Sequence, residues 1–94
     1  MAESDIVRSI LRYLRTVPHC FAWKEHGGMY GTAGIPDIIA CINGRFYGFE
    51  VKTRTGKATK LQEATIRKIL ASGGMAVVVH SVDEVRAVLN STLQ

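Results

Sequence analysis

The 94-residue chain is long enough for one compact core and too short for two. Hydrophobic residues make up 47% and charged residues 21%, with no low-complexity or Pro/Ser-rich stretch, which excludes a disordered chain. The formal net charge of +4 favours a polyanionic partner only weakly, so the placement of the charges carries more information than their sum.

The longest apolar run, around Met75 to Val79, is far shorter than the ~20 residues of a membrane span. The N-terminus also lacks a basic-then-apolar leader pattern. The expectation is a soluble cytoplasmic protein with no membrane partner. Cys20 and Cys41 stand apart, with neither a CxxC nor a histidine at zinc-ligand spacing, and read as two reduced, buried thiols.

From Glu3 to Arg15, the apolar residues Ile6, Val7, Ile10, Leu11 and Leu14 recur at steps of three and four, the period of an amphipathic helix that Pro18 ends. Cys20 to Trp23 is short, aromatic and apolar and suits a strand. Glu25 to Gly34, with four glycines among polar residues, reads as a loop. Pro36 precedes the run Asp37 to Ile42, a place where its missing N–H harms no ladder, and the run reads as a central strand.

Asn43-Gly44 follows at once and is a strong signal for a type I′ hairpin, so Arg45 to Lys52 returns antiparallel. Residues equidistant from the turn then face each other, which sets Asp37 beside Glu50. Glu50 and Lys52 are two apart and share one face of the strand.

After a basic loop, Thr59 and Gln62 have the spacing of a capping box, and a helix runs from there to Gly73-Gly74. Met75 to His80 is a strand rich in β-branched residues. Ser81 and Glu84 form a second capping box that opens a last helix with Val85, Val88 and Leu89 on its apolar side. The order is αβββαβα. A right-handed crossover makes the fourth strand parallel to the third, giving a mixed sheet with helices on both sides.

Two carboxylates at adjacent strand ends repel each other unless a cation compensates. Magnesium takes few carboxylate oxygens and keeps open positions, so Asp37 and Glu50 with the Val51 carbonyl form a suitable open site. Lys52 beside it is placed to orient water or to stabilise charge developing on a phosphorane. Lys24, His26, Met29 and Tyr30 before the motif, with Arg54, Lys57 and Lys60 after it, are candidate phosphate contacts. His19 and His80 read as structural.

Gly34-Ile35-Pro36-Asp37 followed by Phe49-Glu50-Val51-Lys52 resembles the PD-(D/E)xK nuclease superfamily. The acidic first helix, the Gly-rich loop before Pro36-Asp37, the Glu50-Val51-Lys52 triplet, Gly56 and Gln62 resemble, more narrowly, the virus-type replication-repair nuclease (VRR-NUC) family along nearly the whole chain. The resemblance implies a restriction-endonuclease-like αβββαβ core, here with an extra C-terminal helix. It also implies Mg2+ or Mn2+ and cleavage of DNA phosphodiesters by a homodimer similar to Holliday junction resolvases. By position it assigns metal carboxylates to Asp37 and Glu50, the motif lysine to Lys52, a first-helix acid to Glu3 and the following-helix glutamine to Gln62.

Glu3 precedes Ile6, Val7 and Ile10 by three, four and seven residues and so lies along the apolar stripe, although an acid in the first turn also serves the helix dipole. Gln62 has a bland role too, as the partner of Thr59 in the cap. So small a domain has little room to read bases, so the expectation for residues 1–94 is a structure-specific endonuclease acting on branched DNA in a bacterial or phage-infected cell. The alternatives are a binding module of the same fold that no longer cuts, against which the intact Asp37, Glu50 and Lys52 argue, and a small basic interaction subunit.

Overall fold

The computed structural model describes residues 1–26 and 31–93. Its elements are α1 (Glu3–Leu14), β1 (Cys20–Lys24), β2 (Ile38–Ile42), β3 (Arg45–Val51), α2 (Lys60–Ala71), β4 (Met75–Val79) and α3 (Val82–Thr92). The four strands lie in the order β1-β2-β3-β4, the first three antiparallel and β4 parallel to β3, so the expected mixed sheet and crossover are found. No helix among the described residues is long and apolar enough to cross a membrane.

The Asn43-Gly44 turn has positive φ at both residues, 52° and 79°, and closes directly on the Ile42–Arg45 pair. A two-residue loop of this kind fixes the register, and everything downstream follows from it. Ile38 pairs with Phe49, and one step further out Asp37 stands across from Glu50. Asp37 and Lys52, which the pattern places inside the strands, sit just beyond their ends.

Side chains alternate across the sheet, so its two faces have separate fates. One face carries Ile38, Ala40, Ile42, Tyr47, Phe49, Val51 and Val79, and packs against Ile6, Val7, Ile10 and Leu14 of α1 and Val85 and Leu89 of α3. This is the core. The Tyr47 ring stacks on Phe49 at 6.1 Å, and its hydroxyl reaches the Thr92 hydroxyl at 2.8 Å, which ties the end of α3 to the sheet.

The other face carries Ile39, Cys41, Phe46, Gly48, Glu50 and Ala76, with Phe21 and Trp23 at the β1 edge. Helix α2 packs over β4 on this side and has no fully buried residue of its own. The expectation of helices on both sides therefore holds for only part of the second face. Cys41 belongs to the uncovered part and is exposed, while Cys20 faces the core from the edge strand β1 and is half-buried, so the reading of two buried thiols is corrected.

Thr59 caps α2 as its sequence spacing predicts. Its hydroxyl accepts the Gln62 N–H at 3.1 Å, and the Gln62 side-chain oxygen accepts the Thr59 N–H at 2.9 Å. The other end closes with Gly74 N–H on Ile69 C=O and Gly73 N–H on Leu70 C=O. At α3 the second capping box is only half formed: Ser81 accepts the Glu84 N–H, but the Glu84 carboxylate turns to the His80 backbone and ring instead. That contact gives His80 the structural role expected of it, and His19 takes a positive-φ turn conformation before β1. Replacing Thr59 by Ala removes one cap acceptor and is expected to lower the unfolding free energy by about 1 kcal/mol, read from urea titration at constant slope.

Candidate active site

Pro36 is fully buried and leads the chain into β2 against the backbone of β3. A Cβ on Gly48 would lie 2.8 Å from Pro36 Cγ, so the absence of a side chain at position 48 lets the proline lie flat there. Asp37 follows on the same footing. Its backbone carbonyl accepts the Glu25 N–H at 2.7 Å and its Oδ2 accepts the Val51 N–H at 2.8 Å. The hydrogen bond to Val51 spans the strand ends and orients the Asp37 carboxylate toward Glu50.

Glu50 is only 2% exposed, the single charged side chain in the buried set among the described residues. Its Oε2 accepts a hydrogen bond from Gln62 Nε2 at 3.2 Å and faces Lys52 Nζ at 3.6 Å. Its Oε1 is buried without a hydrogen-bond partner. Burial first, then the neighbouring Asp37 carboxylate, push the Glu50 carboxyl up to about 8, with Lys52 pulling the other way. An acid held in this condition is unfavourable to the fold unless something pairs with it.

Gln62 serves the helix cap and Glu50 with the same amide, so its two readings coexist. Lys52 is largely buried, and its N–H is held by Val79 C=O at 3.0 Å, which anchors it at the end of the parallel pair. The structure thus brings together Asp37, Glu50, Val51, Lys52 and Gln62. It does not gather Glu3 with them: Glu3 is exposed, and among the described residues no three Asp, Glu, His or Cys side chains form a metal-holding group.

Lys24, His26, Arg54, Lys57 and Lys60 are all exposed and form no ion pair among the described residues. Met29 and Tyr30 lie outside the described residues. Arg54 lines a pocket of about 440 Å³ with Ile6, Ser9 and His80 beside the start of α1. Sequence reasoning missed Glu25, which stands across from Asp37 by continuation of the β1–β2 register and accepts the Trp23 Nε1–H at 3.1 Å. Only the strand register reveals it, and β1 carries no turn signal that would fix that register in advance.

Two carboxylates with one unsatisfied buried oxygen, flanked by a lysine, fit a hard divalent cation, since oxygen ligands and a charge excess are what such an ion takes. The family model of the archaeal Holliday junction resolvase (Hjc) matches residues 20–87, a stretch that runs from β1 into α3. The chain belongs to this family. Among solved structures it is similar to a VRR_NUC domain, with a TM-score of 0.78 at 19% identity, covering 98% of this chain and 97% of that one. A second, a VRR_NUC domain protein, gives a TM-score of 0.76 at 21% identity over 97% of this chain and 87% of that one. These likenesses establish the restriction-endonuclease-like fold expected from the motifs. No curated protein matches the chain.

Proposed function

We propose that this chain is a structure-specific nuclease that hydrolyses phosphodiester bonds in branched DNA, working as a pair of identical subunits with a divalent metal at Asp37, Glu50 and the Val51 carbonyl. The observation that carries the reading is the buried Glu50 carboxylate, with an orphan oxygen beside Asp37 and a lysine at 3.6 Å. Membership of the resolvase family supports the same substrate class.

Magnesium or manganese would neutralise the two carboxylates and polarise the phosphoryl oxygens. Lys52 is positioned to hold the attacking water or to stabilise charge on the phosphorane. Gln62 fixes the Glu50 carboxylate by its Nε2–H, and the Val51 N–H fixes Asp37. Lys24, His26, Lys57 and Lys60, free of ion pairs among the described residues, are available to the phosphate backbone, which positions a duplex without reading its sequence.

The test compares the parent with Lys52→Ala on labelled four-way junction, flap, duplex and single-stranded DNA in magnesium, manganese or EDTA. Metal-dependent cutting of the branched substrates that disappears in Lys52→Ala is expected. Binding without cutting by the parent would replace the nuclease with an inactive binding module, and equal cutting of every substrate would remove the branch preference.

A further inference from the structure

Three acids stand abreast at one end of β1, β2 and β3, and the proposed nuclease uses only two of them. The Glu25 N–H donates to the Asp37 carbonyl at 2.7 Å, which carries the β1–β2 pairing one step past the strand end, and Asp37 stands in turn across from Glu50. Alternation puts Glu25 on the side of Trp23 and Ile39, which is also the side of Asp37 and Glu50. Glu25 is half-buried and forms no ion pair among the described residues. Its Oε2 accepts the Trp23 Nε1–H at 3.1 Å, while its other oxygen has no hydrogen bond among those residues.

We propose that Glu25 holds a second divalent cation in the gap between itself and Asp37, the Asp37 carboxylate serving both ions. The inference rests on the proposed nuclease, with its metal at Asp37 and Glu50, and adds a ligand to that site. The three acids form a line rather than a cluster, because no three Asp, Glu, His or Cys side chains among the described residues surround one point. Glu25 therefore does not complete the shell of the first ion, and its carboxylate is left to an ion of its own. Neighbouring strands lie ~4.8 Å apart, so the two successive gaps in the row are separated by about that distance, close to the ~3.5–4 Å between the ions of two-metal sites.

Charge points the same way. Lys52 is the one basic side chain within ion-pair distance of this row among the described residues, and it faces Glu50, two strands away from Glu25. Lys24, next to Glu25 in the chain, alternates to the opposite face of the sheet. In the same row Glu50 Oε1 is buried without a partner, so the groups of the protein itself leave these acids unsatisfied. Carboxylate oxygens without sulfur or imidazole suit Mg2+ or Mn2+. A pair of such ions, when bound, stabilises both the attacking and the leaving oxygen of an in-line displacement.

Trp23 is the only tryptophan of the chain and its indole touches Glu25, so Mn2+ bound there quenches its fluorescence. Titration calorimetry of the metal-free chain with Mn2+, alongside that fluorescence, tests the proposal. Two ions per chain are expected for the parent. Glu25→Gln should bind one, with the midpoint of Trp23 quenching moved at least ~10-fold higher in Mn2+. Glu50→Gln should also bind one, with that midpoint kept close to the parent's. Melts in EDTA should leave Glu25→Gln at the temperature of the parent, because glutamine keeps the contact with Trp23. A parent that binds a single ion overturns the proposal, as does a Glu25→Gln chain that binds as many ions as the parent. Cleavage assays on the same samples keep the two readings apart: a one-ion parent that still cuts branched DNA removes the second cation and leaves the nuclease, while a two-ion parent that never cuts does the reverse.

Discussion

Glu50→Gln is expected to make the metal-free protein more stable at alkaline pH while abolishing cleavage. The unfolded chain ionises this glutamate near 4.5, whereas the folded chain holds its proton up to about 8. Across that window the folded state binds more protons than the unfolded state, so its stability falls as pH rises, and above the upper value the full cost is present. Each unit of raised pKa is worth about 1.4 kcal/mol, so the cost at pH 9 is on the order of a few kcal/mol.

A glutamine keeps the shape and accepts the Gln62 and Lys52 contacts without a charge to bury. Thermal melts in EDTA are expected to show Glu50→Gln on the order of 10 °C above the parent at pH 9 and close to it at pH 5. A difference that does not change with pH would show that ionisation of Glu50 is not the cause. Cleavage is expected to fall by more than about 100-fold, a loss that removal of mere outer-shell partners already reaches in metal sites. For the same reason, metal binding to the parent should release a proton at pH 7 and none at pH 9.5, measurable by titration calorimetry in buffers of different ionisation enthalpy.

Gly48→Ala is the second large effect, and it acts from beneath the site. The added methyl would stand 2.8 Å from Pro36 Cγ and 3.3 Å from its Cβ, and Pro36 is a rigid ring with no rotamer to yield. The ring must lift, and Asp37, the next residue, lifts with it. Overpacking of this kind costs about 1–3 kcal/mol, while a displacement of about 1 Å at a reacting centre costs on the order of 100-fold in rate. The expected signature is a cleavage defect much larger than the stability defect.

Pro36→Ala in the same chain removes the obstructing atom and should return part of both, a coupling that a double-mutant cycle measures. If Gly48→Ala cuts as well as the parent, or if Pro36→Ala restores nothing, the proline does not set the position of Asp37.

Much of this was readable in the chain because the informative residues act locally. Asn43-Gly44 dictates the hairpin turn, the turn dictates the register, and the register alone brings Asp37 to Glu50. Thr59 and Gln62 announce the start of α2 by spacing. What stayed hidden depends on distances between elements that no periodicity encodes. The Cys20–Trp23 stretch is apolar on both sides, and whether Phe21 is covered depends on where α2 packs, which is over β4, at the far edge of the sheet from β1.

Glu3 shares the apolar stripe of α1 in a helical projection, yet burial on that stripe begins only at Ile6, and Glu3, the first residue of the helix, is in solvent. The Ser81 box looked like the Thr59 box in sequence. It differs because His80 offers Glu84 two polar atoms one residue earlier than the cap.

The double duty of Gln62 narrows what its position can accept. As a helix cap, glutamate would serve as well as glutamine, since both reach back to the Thr59 N–H. A glutamate there, however, has no N–H to give Glu50 and would set a further carboxylate beside a glutamate that already resists ionisation. A substitution that looks conservative for the helix thus becomes the least tolerable one for the acid beside it, and the start of α2 and the charge state of the site can change only together.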